Sequence, residues 1–323
     1  MSFDQGYWCT PGHVVTASIG LSVLDITFVA LRFFARKRQG QPLKVDDWIM
    51  IPATLFTVGI AIAMVYGVSK KSIAYPYVVP PEAHGNSLLV ATEQISLTGK
   101  IQWAFYLLLP LSLGCTKLSF LFFYRRIFAI SPVSKTSLLL VGMIVLISVW
   151  MAAFFLAALF ACKLDFWAQW QSPIVQIEHC ISEPKLALAL TITDFSTDVI
   201  VIAIPIPLVW RLNLKPSKKI AISGVFLLGT ITVAISLLRL VLTDGFLRFG
   251  FDPHADATLL ITALQYWGVV ESGVAVFAAS LPTLWIFIKG WSWGLVAEAA
   301  RNLVTYSNTS LRHLRSKSSK ASI

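Results

Sequence analysis

Apolar residues run along this chain in long, nearly unbroken stretches, not at the spacing of an amphipathic helix or strand. A bilayer is spanned by about 20 consecutive apolar residues in a helix. Seven windows reach that length, at roughly 14–34, 47–67, 99–123, 137–161, 186–210, 219–243 and 262–288. The pattern predicts an all-α, polytopic membrane protein built as a seven-transmembrane-helix bundle. It divides the chain into a short N-terminal segment (1–13), a membrane domain (14–288) and a tail (289–323).

Composition supports that reading. Of 323 residues 56% are hydrophobic and 13% charged, against about 25% charged in a soluble domain. Mean hydropathy is +0.74. A soluble domain is excluded, and no internal repeat or low-complexity block asks for a second unit. The first thirteen residues hold no Lys or Arg, unlike the start of a cleaved signal peptide, so the first window is expected to stay as a helix.

The net charge of +10 changes the picture through its distribution. Basic residues gather in alternate connections: Arg32, Arg36, Lys37, Arg38 and Lys44; Arg125, Arg126 and Lys135; Arg211, Lys215, Lys218 and Lys219; and the tail. The other connections are poorer in them. The positive-inside rule then predicts an extracellular N-terminus and a cytoplasmic tail. The surplus charge faces anionic lipid, so the expected partner is the bilayer, of the plasma membrane, and not nucleic acid. Asn308-Thr309-Ser310 is a glycosylation sequon on the predicted cytoplasmic side, and its glycosylation would invert this topology.

Cys115 falls inside the third window as a small core residue. Cys162 and Cys180 bracket the fourth connection, where an oxidising compartment lets them pair. Two free thiols, or a pairing through Cys9, are the alternatives that spacing leaves open. His13, His84, His179 and His254 lie on the predicted outer side. No metal-ligand spacing joins them, so ordinary polar loop residues are expected, with no metal and no cofactor.

Six ionisable residues lie well inside the windows: Asp25, Lys117, Asp194, Asp198, Arg239 and Glu271. Such residues are costly in hydrocarbon and face the bundle interior. Counting about 1.5 Å per residue puts Asp194 and Glu271 roughly 12–14 Å from the outer end, and Asp25 and Asp198 about 18 Å. Arg239 falls at about 6 Å and Lys117 at about 25 Å. Asp194 and Asp198, four apart, share a helix face. Arg239 is a candidate partner for Asp194 or Glu271. Lys117 is one for Asp198 or Asp25, unless it snorkels to the interface. Two bases against four acids leave carboxyl groups in excess. That excess suits a proton-linked switch, an acid catalyst or a ligand counter-charge, or else an interhelical network that only fixes packing. Pro205 and Pro207 loosen the inner end of the fifth window as a natural hinge, and Pro110 and Pro282 are candidate kinks.

Several motifs follow in order: "VDDWIM" (45–50), with Asp46 as a candidate N-cap; "TKLSFLFFYRRIF" (116–128); "TDFSTDVIVIAIPIPLVWRLNLKPSKKIAISGVFLLG" (193–229); Arg239-Leu240; and "WGVVESGVAVFAASLPTL" (267–284). Together they resemble the fungal rhodopsin-domain family, over roughly 14–288. That family comprises receptor-like integral membrane proteins, including the satratoxin-cluster type. The resemblance implies Asp46, Asp47, Lys117, Asp194, Asp198, Arg239 and Glu271 as recurrent polar positions, and Cys162 with Cys180 as the loop pair. Retinal proteins carry a Lys in the middle of helix 7. Here Glu271 occupies that helix and no Lys precedes Lys289, so light sensing is not expected.

Three functions fit. The first is a receptor-like protein that senses a small lipophilic molecule through Lys117, Asp194, Asp198, Arg239 and Glu271, passes the change to a cytoplasmic signalling partner, and is linked to secondary-metabolite production. The short 211–218 connection and the absence of an acid just before Arg125-Arg126 argue against ordinary G-protein docking. The second is a cyclase-like membrane enzyme with Asp198 or Glu271 as its acid. The third is a transporter, which the odd helix number without an inverted repeat disfavours. The receptor reading is preferred.

Overall fold

The computed structural model describes residues 9–76, 92–128, 135–207, 216–249 and 258–284. Seven helices among them are long and apolar enough to cross a membrane. We label them α1 (Pro11–Arg38), α2 (Val45–Ser69), α3 (Glu93–Phe128), α4 (Lys135–Leu159), α5 (Glu183–Pro207), α6 (Pro216–Phe249) and α7 (Thr258–Leu284). No strand occurs among the described residues. The sequon and the tail lie outside them, as do His84 and His254.

The helices start and stop for local reasons. Thr10 caps α1, its hydroxyl accepting from the His13 N–H at 3.4 Å, and Pro11 supplies a preset φ at the first helical position. At the far end Arg36, Lys37 and Arg38 suit the negative end of the helix dipole. Gly40 then turns the chain at φ +62, a region where a Cβ is penalised. Asp46 is not the cap of α2. Lys44 stands at that position, and the Asp47 carboxylate reaches back to its N–H at 3.2 Å. Asp46 sits inside the first turn and turns inward. The helix breaks at Ile49 and resumes at Met50, because Pro52 has no N–H for the Trp48 carbonyl. Helix α5 breaks the same way at Ile204, where Pro205 and Pro207 withhold N–H groups from Val201 and Ala203.

Helix α3 is the axis of the bundle. Of its apolar window 67% is buried, against 22% in α1, α4 and α6. At 36 residues it is about 54 Å long, well beyond the hydrocarbon thickness. Small residues let neighbours close on it. Thr57 of α2 and Ser112 of α3 share a 2.6 Å hydrogen bond. A Cβ at Gly114 would lie 2.8 Å from the Met151 sulfur of α4, and one at Gly268 of α7 would collide with the Phe105 ring of α3. Large apolar side chains such as Val23, Leu55, Leu138 and Val241 face outward, as lipid-facing positions do.

One end of the bundle carries a Cys162–Cys180 disulfide. It ties the α4 exit to the short helix Pro173–His179 and the start of α5. Glu183 accepts from Gln102 of α3 at 2.8 Å, and the Trp103 indole donates to the Ala158 carbonyl at 3.1 Å. His179 rests beside Asp165 and Trp167. Cys9 is buried in the hydrophobic cluster at this end, and Cys115 is buried deeper in the bundle. The opposite end, which holds Arg36, Lys44, Arg125 and Arg126, is the basic end.

Candidate functional site

The five polar-core residues named from sequence come together. Asp194 and Asp198 project from one face of α5, with Thr197 beside them. Across from them the Lys117 ammonium of α3 donates to Asp194 Oδ1 at 2.8 Å, to the Asp194 carbonyl at 2.9 Å and to Thr197 Oγ1 at 2.7 Å. It lies 3.0 Å from Asp198 Oδ1 and 5.2 Å from the centre of the Trp150 ring of α4. That ring is held in turn by its N–H bond to Thr193 of α5 at 2.9 Å. From α6, Arg239 donates to Asp194 Oδ2 at 3.2 Å and pairs with Glu271 of α7. Asp194 is therefore the hub, clamped by Lys117 on one oxygen and by Arg239 on the other.

The cluster is dry. The side chains of Lys117, Asp194, Arg239 and Glu271 expose 5%, 0%, 3% and 1% of their surface, and Asp198 exposes 13%. Charges in such surroundings interact strongly and are stable only with partners and hydrogen bonds in place. Two cations face three carboxyl groups, so the cluster carries one acid in excess of its bases. One oxygen from each of Asp194, Asp198 and Glu271 lies within 4.8 Å of the others, a spacing that also suits a cation. Here Lys117 and Arg239 already supply the positive charge between them.

Toward the basic end from this cluster is a cavity of about 30 Å³, lined by Lys117, Asp198, Glu271, Tyr124 and Thr232 among others. That is room for about two water molecules, not for a metabolite. The break in α5 at Ile204 lies six residues beyond Asp198, about 9 Å along the helix.

Asp25 stands apart. It is fully buried on α1, and neither carboxylate oxygen has a hydrogen-bond partner among the described residues. Lys117 does not reach it, because the lysine is turned onto α5.

A second buried network lies at the basic end. Arg32 of α1 donates to Asp47 at 2.8 Å, to the Asp46 carboxylate at 2.9 Å and to the Ala279 carbonyl of α7 at 2.5 Å. One turn on, Arg36 donates to both carboxylates at 3.3 Å, to Gln41 at 2.7 Å and to Thr283 at 3.3 Å. Ser119 of α3 donates to the Asp46 carbonyl at 2.8 Å. Four helices are thus joined around two arginines and two aspartates. From sequence alone, Arg32 and Arg36 counted only as basic residues of a connection. The signal for their burial was their i, i+4 spacing, which matches the paired Asp46-Asp47 in number and charge.

Seven apolar helices, one of them a charge-bearing central helix, define an integral, multi-pass membrane protein. The chain belongs to the fungal rhodopsin domain family, whose model matches residues 31–290. It is similar to the polyenoic acids biosynthesis gene cluster protein Ba17b of Metarhizium anisopliae, 30% identical over 80% of this chain and 68% of that one. It is also similar to the receptor GIN3 of Arthrobotrys oligospora, 24% identical over 81% of this chain and 59% of that protein's length. A third relative is the phomoidride biosynthesis cluster protein H of Fungal sp., 22% identical over 87% and 90% of the two chains. No solved structure matches.

Proposed function

We propose that this protein is a receptor-like sensor of a small lipophilic molecule, linked to secondary-metabolite production, with its N-terminus outside the plasma membrane and its basic tail in the cytoplasm. The observation that carries the reading is the buried Lys117–Asp194–Asp198–Arg239–Glu271 cluster. It joins α3, α5, α6 and α7 at mid-membrane and holds one acid more than its bases. In a cluster so composed Asp198 can pair with Lys117, as at 3.0 Å here, or turn into the adjoining cavity. A ligand that favours one pairing shifts the population toward it. The α5 break at Ile204 gives the change a hinge leading to the basic end.

The relatives support the link to metabolite clusters by two of their names and the receptor reading by the third. The enzyme alternative, with Asp198 or Glu271 as the acid, needs room for a substrate beside those groups. The cavity that touches both is of water size, and since a sensed ligand meets the same limit, the preference for a receptor rests on the receptor named among the relatives.

Asp198→Asn and Glu271→Gln, introduced at the native locus, test the proposal. Both proteins should accumulate near the wild-type level while transcripts under the protein's control lose their response. Loss of the folded protein itself in both variants would assign the cluster to packing and sink the sensor reading.

A further inference from the structure

We propose that the basic end of the bundle contains a phosphate-binding site, built for the anionic headgroup of a glycerophospholipid. A surface pocket of about 310 Å³ opens between the start of α2, the end of α3 and the start of α4, lined by Lys44, Val45, Phe122, Arg125, Arg126 and Ser137. Among the described residues, the only carboxylate on its wall is that of Asp46. That group is already bound by Arg32 at 2.9 Å and Arg36 at 3.3 Å, with Arg126 3.9 Å away. The buried network at this end is thus neutral by itself, two arginines against two aspartates. Lys44, Arg125 and Arg126 remain as surplus positive charge around the pocket.

The three cations are arranged to be used. Arg126 is partly buried and steadied by a 3.1 Å bond from its Nη2 to Gln41, while its Nη1 has no hydrogen-bond acceptor among the described residues. Lys44 and Arg125 are exposed and form no ion pair among the described residues. A guanidinium fork matches phosphate oxygens in pairs, and a lysine adds a mobile point charge. The pocket also lies where a lipid phosphate would be. Val45 opens α2, and Ser137 falls in the first turn of α4, which begins at Lys135, so both mark the level at which the apolar spans end. Val45 is 53% exposed, and Leu138, next to Ser137, is 74% exposed. These residues offer an apolar wall for acyl chains directly beside the basic pocket. In the proposed orientation the site faces the cytoplasmic leaflet, the one that carries the anionic lipids. It is independent of the sensor reading.

The test uses the full chain purified in neutral detergent, with bound molecules counted by native mass spectrometry. Short-chain dioctanoyl phosphatidic acid, dioctanoyl phosphatidylcholine and inorganic phosphate are each titrated. The comparison is wild type against Lys44→Gln/Arg125→Gln, two exposed residues outside the buried network. Saturable binding of phosphatidic acid, weakened about 30-fold in the double variant, is the expected result. Phosphatidylcholine binding should be weaker and unaffected by the substitutions. Should inorganic phosphate displace phosphatidic acid at similar concentration, the phosphate site stands and its source is the solvent; failure to displace it assigns the source to the lipid. Equal binding of the two lipids, or an unchanged affinity in the double variant, would overturn the site. A correct retention volume on size exclusion for both proteins keeps folding out of the comparison.

Discussion

Lys117→Met is the perturbation that asks most of the buried cluster. Methionine matches the lysine stem out to Cε, with sulfur in place of one methylene, and lacks the ammonium. Three hydrogen bonds of 2.7–2.9 Å and the 3.0 Å contact with Asp198 disappear together. Asp194 retains Arg239, but Asp198 has no other cation in reach among the described ion pairs. Removing one partner of a buried pair costs about 3–5 kcal/mol, because the remaining charge is left uncompensated. At the lower figure the ratio of folded to unfolded protein falls roughly 150-fold. Asp198→Asn in the same chain removes the stranded acid. The pair should therefore be non-additive, with about 1–3 kcal/mol recovered relative to the sum of the single variants. Reversible unfolding in mixed micelles, followed by tryptophan fluorescence, measures all four corners of the cycle. A Lys117→Met variant within about 1 kcal/mol of wild type, or strict additivity, would refute the assignment of Lys117 as the shared counter-charge of α5.

Arg32→Met should be nearly as damaging, about 3–5 kcal/mol in the same assay, since one guanidinium holds Asp46, Asp47 and the Ala279 carbonyl; a loss no larger than that of a surface arginine would show the network to be incidental. Gly268→Val should cost at least about 1–3 kcal/mol by overpacking, because the new side chain meets the Phe105 ring, and Phe105→Leu should restore part of it. The Cys162–Cys180 bridge closes a loop of sequence separation 18, so Cys162→Ser should cost about 3 kcal/mol. Adding Cys180→Ser should cost little more, and a second equal loss would mean the two thiols act separately.

The bilayer explains why so much of the fold was legible. A helix in hydrocarbon must be long and apolar, so seven windows announce seven helices without any knowledge of packing. The ends were less legible, because hydropathy stops where charge begins. Helix α1 runs four residues beyond its window to Arg38, and that extra turn is what carries Arg36 inward. A hydropathy rule assigns such an arginine to water, since it cannot see that Asp46 and Asp47 wait across the bundle. The same blindness made Asp46 look like a cap, when the capping carboxylate belongs to its neighbour.

At mid-membrane, the i, i+4 pair Asp194 and Asp198 fixed one face of α5 from sequence alone. Depth counting brought Arg239 and Glu271 within reach of Asp194. The choice Lys117 makes between Asp198 and Asp25 depended on how α3 is rotated about its axis, which no periodicity in an almost wholly apolar helix records. The rotation is set by close approaches such as Gly114 to Met151 and by the Trp150 ring that lies beside the ammonium.

Whether the protein signals, or instead acts on or moves a metabolite, is decided most directly by deleting the gene in the fungus that carries it. Metabolites of cells and medium, and transcripts from the same cultures, are then measured together. For a sensor, a whole pathway should fall along with its transcripts. Accumulation of one intermediate, with transcripts unchanged, would contradict the sensor reading and make the buried acids part of a catalytic or transport site.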